Sequence, residues 1–210
     1  APLDMAKAYA VLANGGYLVE PQIIDRIVNQ NGQVVFANKS PKVCRDCPAE
    51  EEPAANTAAT RRQSLAADPT DWLMDNNSLE DLVKSIGQTA TPAKYAPRVL
   101  DERNAFIMQS MLRDVVKRGT GRRALVLKRN DLAGKTGTTN DAADTWFNGF
   151  NSSLVASVWV GFRGQDPLGS NAYGSNVPLP IWIDFMKEAL VDVPEILPSQ
   201  PAGVVTIKVD

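Results

Sequence analysis

The run Gly134-Lys135-Thr136-Gly137-Thr138-Thr139 places a cation, hydroxyls and glycines on one short extended stretch. An ammonium beside a reacting hydroxyl can hold a proton relay or stabilise developing charge, whereas on a solvated strand it does neither. A strand edge with a glycine lets a peptide-like substrate approach the backbone and add itself as a further strand; the same glycine can also mark a simple bulge. The Lys-Thr-Gly tripeptide alone is weak, because its residues are common. It is not a nucleotide-binding P-loop: the glycine that opens such a loop is missing upstream, and an extended run follows instead of a helix.

Other chemistries are narrowed by what the chain lacks. It contains no histidine, so Ser-His-Asp, Cys-His and His-metal sites cannot be assembled from it. No metal site or cofactor is implied. The two cysteines, Cys44 and Cys47, form a Cys-x-x-Cys pair that suits a redox or half-metal site in a reducing compartment and a local disulfide in an oxidising one. Their Pro-rich setting favours a structural disulfide or inert thiols over catalysis. Hydrophobic residues at 44%, charged residues at 22% and a net charge of −2 are ordinary for a globular protein and give no general attraction to nucleic acid.

The elements that must position the strand are readable from periodicity. Residues 3–13 space Leu3, Met5, Ala6, Tyr9, Ala10 and Ala13 as a helix, which Asn14-Gly15-Gly16 ends. A chain that opens almost directly in a helix reads as cut inside a larger domain. Residues 22–28 and 33–37 form a β-hairpin around Asn29-Gln30-Asn31-Gly32. From 38 to 77 the periodicity fails among prolines and mixed charges, which reads as an insertion or mobile loop, with its charge runs solvated.

Residues 78–192 resume with a helix at 78–86 and a stronger one from Asp101, whose apolar stripe is Ala105, Met108, Leu112, Val115 and Val116, with Met108 and Met111 expected in the core. Gly119 and Gly121 stop it. Strands follow at 132–138, 145–150 and 154–162, the third apolar on both faces and so expected to be buried from both sides. Residues 180–190 form a helix with Ile181, Phe185, Met186 and Ala189 inward. Residues 193–210 are a linker and a final strand at 204–209. The architecture is α+β, an antiparallel sheet flanked by helices on both faces and incomplete at the N-terminus.

The ordered pieces Leu132-Ala133-Gly134-Lys135-Thr136-Gly137-Thr138-Thr139-Asn140, Thr145-Trp146-Phe147-Asn148-Gly149-Phe150 and Val158-Trp159-Val160-Gly161-Phe162 resemble the serine penicillin-binding proteins, in which Lys-Thr-Gly is a catalytic element. Pro2 to Ala10 with Asn14-Gly15-Gly16, and the helix ending in Gly119-Thr120-Gly121, look like stretches of the bifunctional class A synthases between their second and third motifs. Pro180-Ile181-Trp182-Ile183 with Phe185-Met186 looks like their closing helix.

The resemblance implies a penicillin-binding or serine β-lactamase-like transpeptidase fold and a D,D-transpeptidase that cross-links peptidoglycan stem peptides by serine acyl transfer and is a target of β-lactams. It assigns catalytic roles to Lys135 and Thr138, the latter giving a backbone N–H to an oxyanion hole, and substrate binding to Thr136, Gly137, Thr138 and Thr139, with the Thr136 and Thr138 hydroxyls on a terminal carboxylate. Trp146 is expected to pack behind the strand. No serine has lysine three places on or asparagine two places on, so the family's Ser-x-x-Lys and Ser-x-Asn are expected from the remaining N-terminal part of the same protein. Hydrolytic relatives, a D,D-carboxypeptidase or a β-lactamase, and a non-catalytic sensor module are the competing readings. Placement at the periplasmic face of the inner membrane follows from the family.

Overall fold

The structure, a computed structural model, describes residues 1–44, 95–164 and 166–207. They fall in two compact units, residues 1–38 with 96–210, and residues 39–95. In the second, Lys42 bridges Tyr95 in parallel and Cys44 is disulfide-bonded. Cys47, the expected helix at 78–86 and most of the expected insertion lie outside the described residues.

The first unit is α+β. Helix α1 (Pro2–Ala13) takes Pro2 in its first turn, where the missing N–H costs nothing. It stops where Asn14 caps the turn and Gly15 and Gly16 adopt φ of 90° and 109°. A Cβ on Gly16 would lie 2.1 Å from the Leu100 carbonyl oxygen, so the position needs glycine twice over. Strands β1 (Arg26–Val28) and β2 (Val34–Ala37) form the expected hairpin, shorter than the sequence suggests. Its turn is held by Asn29 Oδ1, which accepts from the N–H groups of Asn31 and Gln33, both at 3.0 Å.

Helix α2 (Glu102–Arg118) begins where Asp101 accepts the Arg103 N–H at 2.9 Å and ends at Gly119. Its buried face is Ala105, Gln109, Leu112 and Val116. Met108 and Met111, expected in the core, are instead 42% and 59% exposed. The face is rotated because a polar residue belongs to it: the Gln109 amide donates to the Leu12 carbonyl and, at 3.4 Å, to that of Ala13. It thereby satisfies orphan acceptors at the end of α1. A 3₁₀ helix (Arg122–Leu127) follows.

Strands β3 (Ala133–Thr138), β4 (Asp144–Phe150) and β5 (Val155–Gly161) form an antiparallel sheet in the order β3-β4-β5, with Ala133 opposite Phe150 and Gly137 opposite Trp146. Asn151 makes the β4–β5 turn by accepting the N–H groups of Ser153 and Leu154. Alternation along the strands sorts the core into two clusters. Leu132, Phe147, Ala156 and Val158 face helix α3 (Pro178–Ala189), where they meet Leu179, Trp182 and Met186. Ala133, Phe150 and Val155 turn the other way, toward Tyr9, Leu12 and Leu112 of α1 and α2. Helices therefore do cover both faces.

Three expectations of burial or structure are corrected. The third strand is half-buried, with Trp159 exposed at its far end, because α1 and α3 cover only part of its length. On α3 the inward residues are Leu179, Trp182 and Met186, while Ile181 and Phe185 are exposed. The Trp182 ring sets that rotation by packing edge-on to Phe147 at 5.0 Å, a contact worth about 0.5–1.5 kcal/mol beyond its buried area. Residues 204–207 form no strand, since nothing among the described residues pairs with them.

Candidate active site

Among the described residues β3 is an outer strand of its sheet, and its chemistry follows from which way each group points. The Thr139 N–H bonds the Asp144 carbonyl at 3.0 Å at the end of the β3–β4 ladder. In an antiparallel pair the bonded and non-bonded positions alternate. The N–H and C=O groups of Thr136 and Thr138 therefore face away from β4, along the open edge. The Lys135 side chain agrees with this register, its Nζ donating to the Thr136 carbonyl at 2.9 Å while remaining exposed.

Side chains alternate as well. Thr136 and Thr138 share the face of Leu132 and Phe147, and Lys135 and Gly137 the opposite one. The Thr138 hydroxyl accepts the Gly174 N–H at 3.0 Å, which leaves its own proton free to donate. This bond draws the 169–177 loop onto the strand so closely that a Cβ on Gly174 would lie 2.5 Å from the Trp146 carbonyl and 2.8 Å from that of Gly137. The Thr136 hydroxyl is 2.8 Å from that of Thr120. Thr139 differs from Thr138: its hydroxyl accepts the Asp144 N–H at 2.8 Å and also donates its proton to the Asp144 carbonyl at 3.4 Å, so it is committed to the turn.

Beyond Thr139 the chain turns through Asp141 and Ala142 at φ of 60° and 52°, left-handed values unusual for residues with a Cβ. The Ala142 carbonyl is held there by the Leu168 N–H at 3.0 Å. A cavity of about 470 Å³ opens at this corner, lined by Thr138, Thr139, Asp141, Pro167 and Tyr173 among others. Trp146, opposite Gly137 on β4, is half-buried on the same face as Gly137 and Lys135, its Cβ 3.2 Å from where a glycine Cβ would sit and its ring 6.2 Å from that of Trp159.

The expected site residues Lys135, Thr136, Gly137 and Thr138 thus lie together on one open strand edge. Thr120 and Gly174 also reach this strand, and neither is among the expected site residues: Gly119-Thr120-Gly121 reads as a helix end and part of the family resemblance, and Gly174 lies in a loop with no periodicity. Among the described residues no group of three or more acidic, cysteine or histidine side chains could hold a metal, and no helix is long and apolar enough to cross a membrane.

Comparison with known proteins gives a consistent picture. The family model described as the penicillin-binding protein transpeptidase domain matches residues 1–67 and 76–187. Penicillin-binding protein 1A of Pseudomonas aeruginosa is 46% identical over 209 residues, which is 100% of this chain and 25% of that protein. Penicillin-binding protein 1A of Neisseria lactamica is 35% identical over 97% of this chain and 19% of its own length. The crystal structure of penicillin-binding protein 1A from Haemophilus influenzae superposes with a TM-score of 0.75 at 32% identity, covering 100% of this chain and 29% of that one. PonA1 from Mycobacterium tuberculosis gives 0.55 at 26% identity, over all of this chain and 47% of that one. The chain spans about a quarter of the length of the first of these relatives.

Proposed function

The chain belongs to the penicillin-binding protein transpeptidase domain family, and from that premise we propose that it forms the substrate-binding wall of a peptidoglycan D,D-transpeptidase. The observation that carries this reading is the open edge of β3, where an outward Thr138 N–H, two threonine hydroxyls and the Lys135 ammonium converge. A stem peptide lying along that edge extends the sheet by one strand. Its terminal carboxylate is held by the hydroxyls of Thr136 and Thr138, and its far end runs toward the cavity beside Thr139 and Asp141.

The acyl-transfer steps then divide between this chain and the rest of the protein. A serine outside these residues attacks the penultimate D-alanine carbonyl, and the Thr138 N–H stabilises the tetrahedral oxyanion. The C–N bond breaks and D-alanine leaves with the serine proton, with Lys135 supplying positive charge to the relay. An amine of a neighbouring strand next attacks the ester and releases the serine. A β-lactam carboxylate occupies the same hydroxyl pair. Anchoring at the periplasmic face of the inner membrane is assigned to a segment outside this chain.

Labelling with a fluorescent penicillin tests the reading. The full-length protein becomes covalently labelled and stays labelled over minutes, whereas the 210-residue chain alone does not. A full-length protein that never takes label removes the reading, and one that sheds it within seconds points to a hydrolase instead.

A further inference from the structure

We propose that Thr120 is a positioning residue that sets the direction of the Thr136 hydroxyl proton, and so governs recognition of the ligand carboxylate. The inference rests on the transpeptidase reading, and goes beyond it by assigning a role to a residue outside β3. The two hydroxyl oxygens are 2.8 Å apart. Each hydroxyl has one proton. If Thr136 donates to Thr120, it presents only lone pairs to the open edge and repels an anion. If Thr120 donates, the Thr136 proton is released to a carboxylate, and the incoming bond strengthens that donation because hydrogen-bond chains polarise one another.

Thr120 is built into this place. The N–H groups of Gly119 and Gly121 both bond the Val115 carbonyl, at 3.1 and 2.9 Å, so the backbone on either side of Thr120 is fixed. A Cβ at Gly119 would lie 2.9 Å from Val115 Cα, which restricts the turn to glycine there. Helix α2 itself straddles the margin of β3, with Leu112 in one core cluster and Val116 in the other. The chain leaving it therefore passes beside the β3 edge carrying Thr120. No second partner of the Thr120 hydroxyl exists among the described residues, and its side chain is exposed, so the pair is open to a ligand.

The experiment compares acylation of the full-length protein by benzylpenicillin and by its methyl ester, which keeps the ring and removes the anion. Thr120→Val slows acylation by benzylpenicillin about five- to tenfold, the scale of a hydrogen bond to a charged group weakened through one intermediary. It slows the ester about twofold or less. Thr120→Ser keeps the hydroxyl and restores the rate, and Thr120→Val added to Thr136→Val costs nothing more, since the two act as one unit. Equal slowing of both probes, or failure of Thr120→Ser to rescue, overturns the inference and leaves the transpeptidase reading standing. An unsubstituted protein that is not acylated removes both.

Discussion

Gly174 shows how a single missing atom shapes the site. Its approach to the Gly137 and Trp146 backbones is possible only without a Cβ, and its N–H occupies one lone pair of the Thr138 hydroxyl. Gly174→Ala forces the loop off the strand, because the obstructing atoms are backbone and cannot rotate away. The expected outcome is a fall of about tenfold or more in penicillin acylation of the full-length protein, the consequence of moving a positioned donor by roughly 1 Å. A second-order acylation rate measured beside a melting curve checks this, and an unchanged rate would show that Thr138 does not depend on the loop. The contrast with Thr139 is instructive. Both are expected to bind substrate, yet the Thr139 proton goes to the Asp144 carbonyl while the Thr138 hydroxyl only accepts, from Gly174, a difference that no sequence pattern records because it arises from residues five and 36 positions away.

At the scale of elements, helix α2 carries the chain to the edge of β3, and its N-terminus depends on Asp101. The side-chain bond to Arg103, together with the Arg103 N–H, holds the Asp101 carboxyl down at about 2, below its ordinary value of 3.8. A carboxylate whose folded value is depressed stabilises the fold fully above its unfolded value and loses that contribution as pH falls toward the folded one. The Asp101 contribution is therefore present above about pH 4 and is lost between pH 4 and 2. Asp101→Asn keeps an N-cap but removes the titration, so its stability curve is flatter than that of the unsubstituted protein across this window. Circular dichroism melts at stepped pH measure the difference; parallel curves would contradict it. Local chemistry of this kind was legible in advance: Asp101, Asn14-Gly15-Gly16 and Asn151-Ser152-Ser153 mark ends and turns through bonds within a few residues of themselves. Helix faces were not. Gln109 is buried to serve carbonyls of α1, and Trp182 turns α3 toward Phe147, both long-range demands that a periodic pattern assigns to the nearest apolar residue instead. Likewise residues 204–207 of the strand expected at the C-terminus have the composition for extended structure but pair with no strand among the described residues.

Across the whole molecule, the root of β3 is fastened by a buried ion pair. Arg129 donates to both oxygens of Asp131, at 2.9 and 2.7 Å, and reaches the Val193 and Pro194 carbonyls. Asp131, with its side chain fully buried, also accepts the Ile196 N–H at 3.3 Å and the Asn151 amide at 3.4 Å. Three segments distant in sequence thus meet on one carboxylate. Asp131→Ala leaves the part-buried guanidinium with only the Val193 and Pro194 carbonyls and costs about 2–3 kcal/mol, the scale of lost hydrogen bonds to a charged group. Denaturant unfolding shows this as a lower midpoint, and proteolysis within residues 193–207 becomes faster; an unfolding free energy within about 1 kcal/mol of the original would assign the fastening to other contacts.

The far side of the sheet has a different consequence. Val155–Gly161 is seven residues of Val-Ala-Ser-Val-Trp-Val-Gly without charge or proline, and no strand among the described residues lies beyond it. Such a segment can template pairing with a copy of itself. A net charge of −2 spread over 210 residues offers little repulsion against that. Self-association of the chain on its own is accordingly expected along β5, and a charged residue introduced in that strand would oppose it.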